Sequence, residues 1–356
     1  MEVVEEPGRD ALLCASDAYT RVCAVLAYTD ELDPDLKPYS HFDRSHILES
    51  LSHFYQERRP WLKNPTVQRI MQQKATRLVI DQPVLLHAVI AISAAHLANL
   101  RSGCQTYRRT SLIHWQHSLR AISRCLHGNL EVQNADALFS AGHIQSMLAH
   151  IHESRNCTQA EWSAPNWLTL HRGVKVLWDT PEVFDRLRLG IWRSWTQSCE
   201  VQYQQFVHCL TSFSQEKKPS HVICVLRSLC EQLPEDEALM YRERINFLRC
   251  LECSDDSPQT TNMLSWFITR APEIYISKLI GGDEMSLLLL LYWCRLSSDL
   301  GQWWHVQGAK QEARRIYTYL RERTHDHEVG VLLEYIVDSM EFLVLPSKSK
   351  LAWDAM

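Results

Sequence analysis

An all-α fold follows from three features of the sequence. No segment alternates apolar and polar residues long enough to make a half-buried strand. Apolar residues instead recur at three- and four-residue steps along most of the chain. Two runs, Pro83–Leu100 (PVLLHAVIAISAAHLANL) and residues 285–296 (MSLLLLLYWCRL), are apolar almost all round. A helix of that kind is buried on every side, so the pattern predicts one large helical domain of about a dozen helices around these two. With 356 residues, 46% of them hydrophobic, the chain can bury a sizeable core.

Residues 1–40 mix acids, Pro34 and Pro38 with one helical stretch over 10–27, and read as a loosely attached arm. Short helices are expected at 46–55 and 65–77, separated by RRPWLKNP, where Pro60 and Pro65 stop any continuation. In the first apolar run Pro83 suits the first helical turn and Asp81 is placed to cap it. Ser93, His96 and Asn99 share one side of that helix, and His87 projects from the opposite side. Residues 107–126 carry an apolar arc of Leu112, Ile113, Trp115, Leu119, Ile122 and Leu126; His114 and His117 fall off that arc and are expected in solvent. Residues 134–151 follow antiparallel across HGNLEVQN, with His143 and His150 about 10 Å apart along the axis, too far to share a metal. After the loop SRNCTQAEWSAP, Asn166 is a natural N-cap for WLTLHRGVKVLW. Further helices are expected at 183–213 with a break near Gly190, at 220–233 and at 235–251. A linker, SDDSPQTTN, precedes helices at 264–270, 272–279 and 285–296. GQWWHVQG then separates the last of these from helices at 309–323 and 329–343, and residues 344–356 form a tail.

The formal charge is −5 and the lysines and arginines are scattered, so direct nucleic-acid binding is not expected. MEVVEEPGRD has neither the order of a secretory signal nor the composition of a transit peptide, which points to a cytoplasmic protein. Twelve scattered cysteines then read as reduced, buried thiols, and Cys250 and Cys253 form an isolated pair. Neither apolar run is long enough to suggest a membrane span. No dinucleotide, phosphate-loop, nucleophile-elbow or HExxH motif occurs, so neither a cofactor nor a metal is expected. Asp255-Asp256 lies in the polar linker and reads as solvated loop.

LLHAVIAISAAHLANL, the helix over 107–119, NADALFSAGHI, WLTLHRGVKVLW and QWWHVQGA, in that order over residues 41–343, resemble the regulatory domain of fungal binuclear zinc-cluster transcription factors, nearest to the sterol uptake control type. The resemblance implies an all-helical, often dimeric domain that in the sterol branch holds a sterol-like lipid in a deep apolar pocket. A homodimer is therefore an open alternative. The first forty residues hold only Cys14 and Cys23, without the six-cysteine cluster or the basic linker of that family.

Two functions follow. The first is a cofactor-independent enzyme of fungal secondary metabolism, a cyclase or pericyclase of the hetero-Diels-Alderase type that orients a terpenoid or polyketide-terpenoid substrate. Holding reactants in near-attack geometry can remove about 7–11 kcal/mol of barrier without a cofactor. The alternative is a fingerless, nuclear regulator that senses a sterol-like or terpenoid metabolite and acts through a partner protein. Either needs a pocket, expected between the two apolar runs with the WWH segment closing one end. Trp266, Trp293, Trp303 and Trp304 would supply its apolar walls, and His87, His96, Tyr292 and His305 its polar or acid–base groups. The competing expectation is that these side chains fill a solid core.

Overall fold

The computed structural model describes residues 22, 41–56, 64–101, 104–127, 134–153, 162–212, 218–255, 257–299 and 302–340. Among them are sixteen α-helices, one π-helical turn and no strand, as the periodicity predicts. In chain order the helices are α1 (His41–Gln56), α2 (Pro65–Arg69), α3 (Thr76–Asp81), α4 (Pro83–Leu100), α5 (Gln105–His127), α6 (Ala135–Glu153), α7 (Asn166–Asp179) and α8 (Pro181–Leu189). They continue with α9 (Arg193–Ser212), α10 (His221–Glu231), α11 (Glu235–Glu252), α12 (Pro258–Thr269), α13 (Glu273–Ile280), α14 (Glu284–Asp299), α15 (Trp303–Arg321) and α16 (His327–Asp338). The expected helix over 10–27, with Cys14 and Cys23, and the tail 344–356 lie outside the described residues, Val22 excepted.

The chain divides into two compact units. The first comprises Met1–Pro60, Thr66–Leu148 and Leu177–Ser194; the second comprises Trp61–Pro65, Ala149–Val176 and Trp195–Met356.

The first unit is built on α4. Contrary to the expectation from its length, it is long and apolar enough to cross a membrane, yet 78% of it is buried inside the protein, and it is a core helix. Pro83 occupies the first turn as expected. The N-cap is Gln82, without a side-chain cap; Asp81 instead ends α3, with its carboxylate 3.6 Å from Arg77. Helices α5, α1 and α3 pack on α4. The helix expected over 65–77 is interrupted by the π-helical turn Ile70–Lys74, closed where Ala75 N–H donates to the Ile70 carbonyl at 2.8 Å.

Helix α5 turns a face to the core that its apolar arc does not predict. Tyr107, Thr110, Ser111, His114, His117 and Ser118 are buried, while Leu112 and Leu126 are exposed. The expectation that His114 and His117 are solvated is thus corrected. Closeness to α4 explains the choice: the Ser111 and Ser118 hydroxyls donate to the Ala91 and Val84 carbonyls, each at 2.8 Å. A small side chain admits the neighbouring backbone, and its hydroxyl is satisfied by a carbonyl. Gln145 of α6 then donates to Ser118 Oγ at 2.6 Å. The expected break at Gly190 is present between α8 and α9. A Cβ there would overlap the carboxylate of Asp136, which accepts the Ile191 N–H at 3.3 Å, so the close approach requires glycine. Trp192, just beyond, donates to Ser140 Oγ at 2.9 Å and packs edge-on against Phe139.

In the second unit α14 is the counterpart of α4, buried from Met285 to Cys294 and packed on α15 and α11. Two boundaries differ from expectation. The linker is shorter, because α12 starts at Pro258 with the Ser257 hydroxyl accepting from Thr260 N–H. The segment GQWWHVQG is no separator, since Trp303 opens α15 directly after Gln302. Its second glycine, Gly308, lies inside that helix against α6: a Cβ there would stand 2.9 Å from the His150 carbonyl oxygen.

Candidate functional site

The richest chemistry in the second unit gathers around His150, near the C-terminus of α6. Its ring stacks on Trp167 with centroids 4.6 Å apart and meets the edges of His171 at 5.4 Å and His305 at 5.1 Å. Trp304 and Trp293 close the shell at 5.9 and 6.5 Å. Local structure fixes each member. Trp167 and His171 are one turn apart on α7, and His171 Nδ1–H donates to the Trp167 carbonyl at 3.1 Å, leaving Nε2 as an acceptor. Trp293 of α14 donates to the Leu264 carbonyl at 3.1 Å. Trp304 and His305 occupy the first turn of α15, with the Trp304 indole donating to Gln302 Oε1 at 3.0 Å.

All three imidazoles are held neutral. Burial first, and then the neighbouring His305 and His171, push His150 well below the usual histidine range. Burial lowers His171 to about 4 and, with the influence of His171, His305 to about 3. His150 Nε2 is buried without a hydrogen-bond partner. The cluster is therefore a buried group of packed rings bearing uncharged donors and acceptors. It suits an apolar molecule with one polar group, while an imidazole with a pKa near 3 is a weak base at neutral pH. Among the described residues no three His, Cys, Asp or Glu side chains converge as metal ligands.

Of the residues singled out by sequence, Trp293, Trp304 and His305 meet here; Trp303 precedes them, half-buried, on the same turn. Trp266 belongs to another aromatic group, edge-on to Tyr203 at 5.3 Å. Tyr292 donates its hydroxyl to Glu252, and burial with that carboxylate raises its pKa. His87 and His96 belong to the first unit. His87 Nδ1 lies 2.7 Å from His114 Nδ1, and its ring stacks on His117 at 4.7 Å. His96 Nδ1 lies 2.9 Å from His53 Nε2. His150, Trp167 and His171 were not anticipated; the W-x-x-x-H spacing of the α7 segment, which puts both rings on one helix face, was the available signal.

Comparison with known families gives one result. The model of the fungal specific transcription factor domain matches residues 37–326, most of the chain and parts of both units. No curated protein matches the sequence.

Proposed function

Because the chain belongs to the family of the fungal specific transcription factor domain, we propose that it is a regulatory domain through which a fungal regulator of transcription responds to an apolar small molecule. The family match carries this reading, and it favours the regulator over the cyclase. The neutral cluster around His150 supports it further, since aromatic faces and uncharged imidazoles suit a sterol-like or terpenoid body with a single hydroxyl or carbonyl. The cyclase reading asked His305 to move protons, and a pKa near 3 suits that task poorly. With a net charge of −5 and no basic block in the sequence, the regulator reaches DNA through a partner protein and works in the nucleus.

Deletion of the gene, followed by transcript profiling and metabolite analysis, tests the proposal. A defined set of transcripts should change. Loss of a metabolite with unchanged transcripts would overturn the regulator and restore the enzyme. In the same assay Trp304→Ala and His305→Ala should each weaken the transcript response while the protein still accumulates. Full response from both variants would remove the His150 cluster from the sensing site.

A further inference from the structure

Arg244, midway along α11, is a buried cation lacking an ion pair among the described residues. Only 4% of it is exposed. Its Nη2 donates to the Phe267 carbonyl, and its Nε has no hydrogen-bond partner. The carboxylate that acts on its charge is that of Glu243, its exposed neighbour in the chain. Aromatic faces surround the guanidinium instead, with Phe267, Phe247 and Tyr275 centroids 4.2, 5.1 and 5.2 Å from its central carbon. Burial draws its pKa down to about 10, so it remains charged at neutral pH. Ring faces offset part of the desolvation of a cation, but they leave planar N–H donors without acceptors.

The rings continue away from this cation. Phe247 meets Phe206 at 4.4 Å, Phe206 meets Trp266 at 6.1 Å, and Trp266 meets Tyr203 at 5.3 Å. At the far end the half-buried Arg270 lies over the Tyr203 ring at 4.8 Å. A run of mostly buried rings thus begins at a guanidinium whose Nε–H is unfilled and ends at half-buried side chains. That is the pattern required by a molecule with an anionic head and an apolar body.

We propose that Arg244 anchors the carboxylate of an amphiphilic organic acid whose apolar body lies along Phe247, Phe206, Trp266 and Tyr203. The carboxylate fills the Nε–H donor that the protein leaves open, and Arg270 draws the acid toward the Tyr203 end. The inference goes beyond the ligand-sensing reading above, because it adds an anionic ligand at a cluster other than that of His150. It is tested by binding to the full chain, so its failure and that of the transcript experiment are separate outcomes.

Two matched probe pairs differ in the anionic group: 8-anilinonaphthalene-1-sulfonate against N-phenyl-1-naphthylamine, and dodecanoate against dodecan-1-ol. In a low-salt buffer free of carboxylates, the protein should prefer each anion about tenfold, as a charge-assisted contact implies. Dodecanoate should displace the sulfonated dye, and dodecan-1-ol should not. Arg244→Met should bring the paired affinities together, Arg244→Lys should keep part of the preference, and Arg77→Met, at an exposed position, should leave it unchanged. If Arg244→Met does not fold, two further measurements decide: the melting temperature of the unaltered protein should rise more with dodecanoate than with dodecan-1-ol, and Arg270→Met should reduce that difference. Equal binding of both members of each pair, equal melting shifts, or a preference that survives Arg244→Met would overturn the proposal.

Discussion

At the scale of the residue, five buried histidines sit where they cannot hold a proton. His87 and His305 are lowered to about 3, His171 to about 4, and His114 and His150 lie well below their usual range, in each case chiefly through burial. Above the ordinary histidine pKa near 6.5 neither the folded nor the unfolded chain protonates these groups, and they add no pH dependence. Below it the unfolded chain takes up protons that the folded chain refuses. Stability should therefore fall as the pH drops from about 6.5 toward 4, by up to about 1.4 kcal/mol per pH unit for each histidine. Urea midpoints at successive pH values between 7.5 and 4.5 measure this; a flat profile would show that the imidazoles reach water. Part of the site was legible in the sequence at this scale, because Trp293, Trp304 and His305 are bulky rings within or beside apolar helical runs. Tyr292 was misplaced because one helical step of about 100° turns it from Trp293's direction toward Glu252. His150 was weighed only as a metal ligand beside His143 and set aside, because nothing local shows that α15 approaches its backbone.

At the scale of the element, helix existence was readable and helix orientation was not. The run over 83–100 and the run over 285–296 both became core helices, since a segment without a polar face has no alternative. Helix α5 had alternatives, and close packing on α4 prevailed over its apolar arc. This reverses the usual expectation for substitutions. Ser111→Leu, a gain in hydrophobicity, should destabilise the protein by about 1–3 kcal/mol through overpacking and the lost bond to Ala91. Leu112→Ser, a loss of hydrophobicity at an exposed position, should change stability by under about 1 kcal/mol. Chemical denaturation of both variants decides the matter, and the opposite order would mean that the arc faces inward. The two misjudged boundaries share one cause. Glycine and polar residues were taken as punctuation, whereas Ser257 with Pro258 forms a helix start and Gly308 provides clearance within a helix.

At the scale of the whole molecule, the all-α class and the family were both legible, the first from periodicity and the second from the composite of segments over residues 41–343, close to the matched span 37–326. The division into two units was not, because it depends on contacts between segments far apart in sequence. The segment Leu177–Ser194 returns to the first unit after Ala149–Val176 has contributed to the second. It brings Trp192, which is almost wholly buried and bonded to Ser140. A fragment ending at residue 148 should therefore lack a cooperative thermal transition, while a sharp calorimetric peak from it would show that the returning segment is dispensable. The same threading bears on how such a protein changes over time. A single crossover in the gene cannot transplant either unit, since each is written in separate stretches of the chain. New properties must then arise by substitution inside an inherited whole, residue by residue, rather than by exchange of modules.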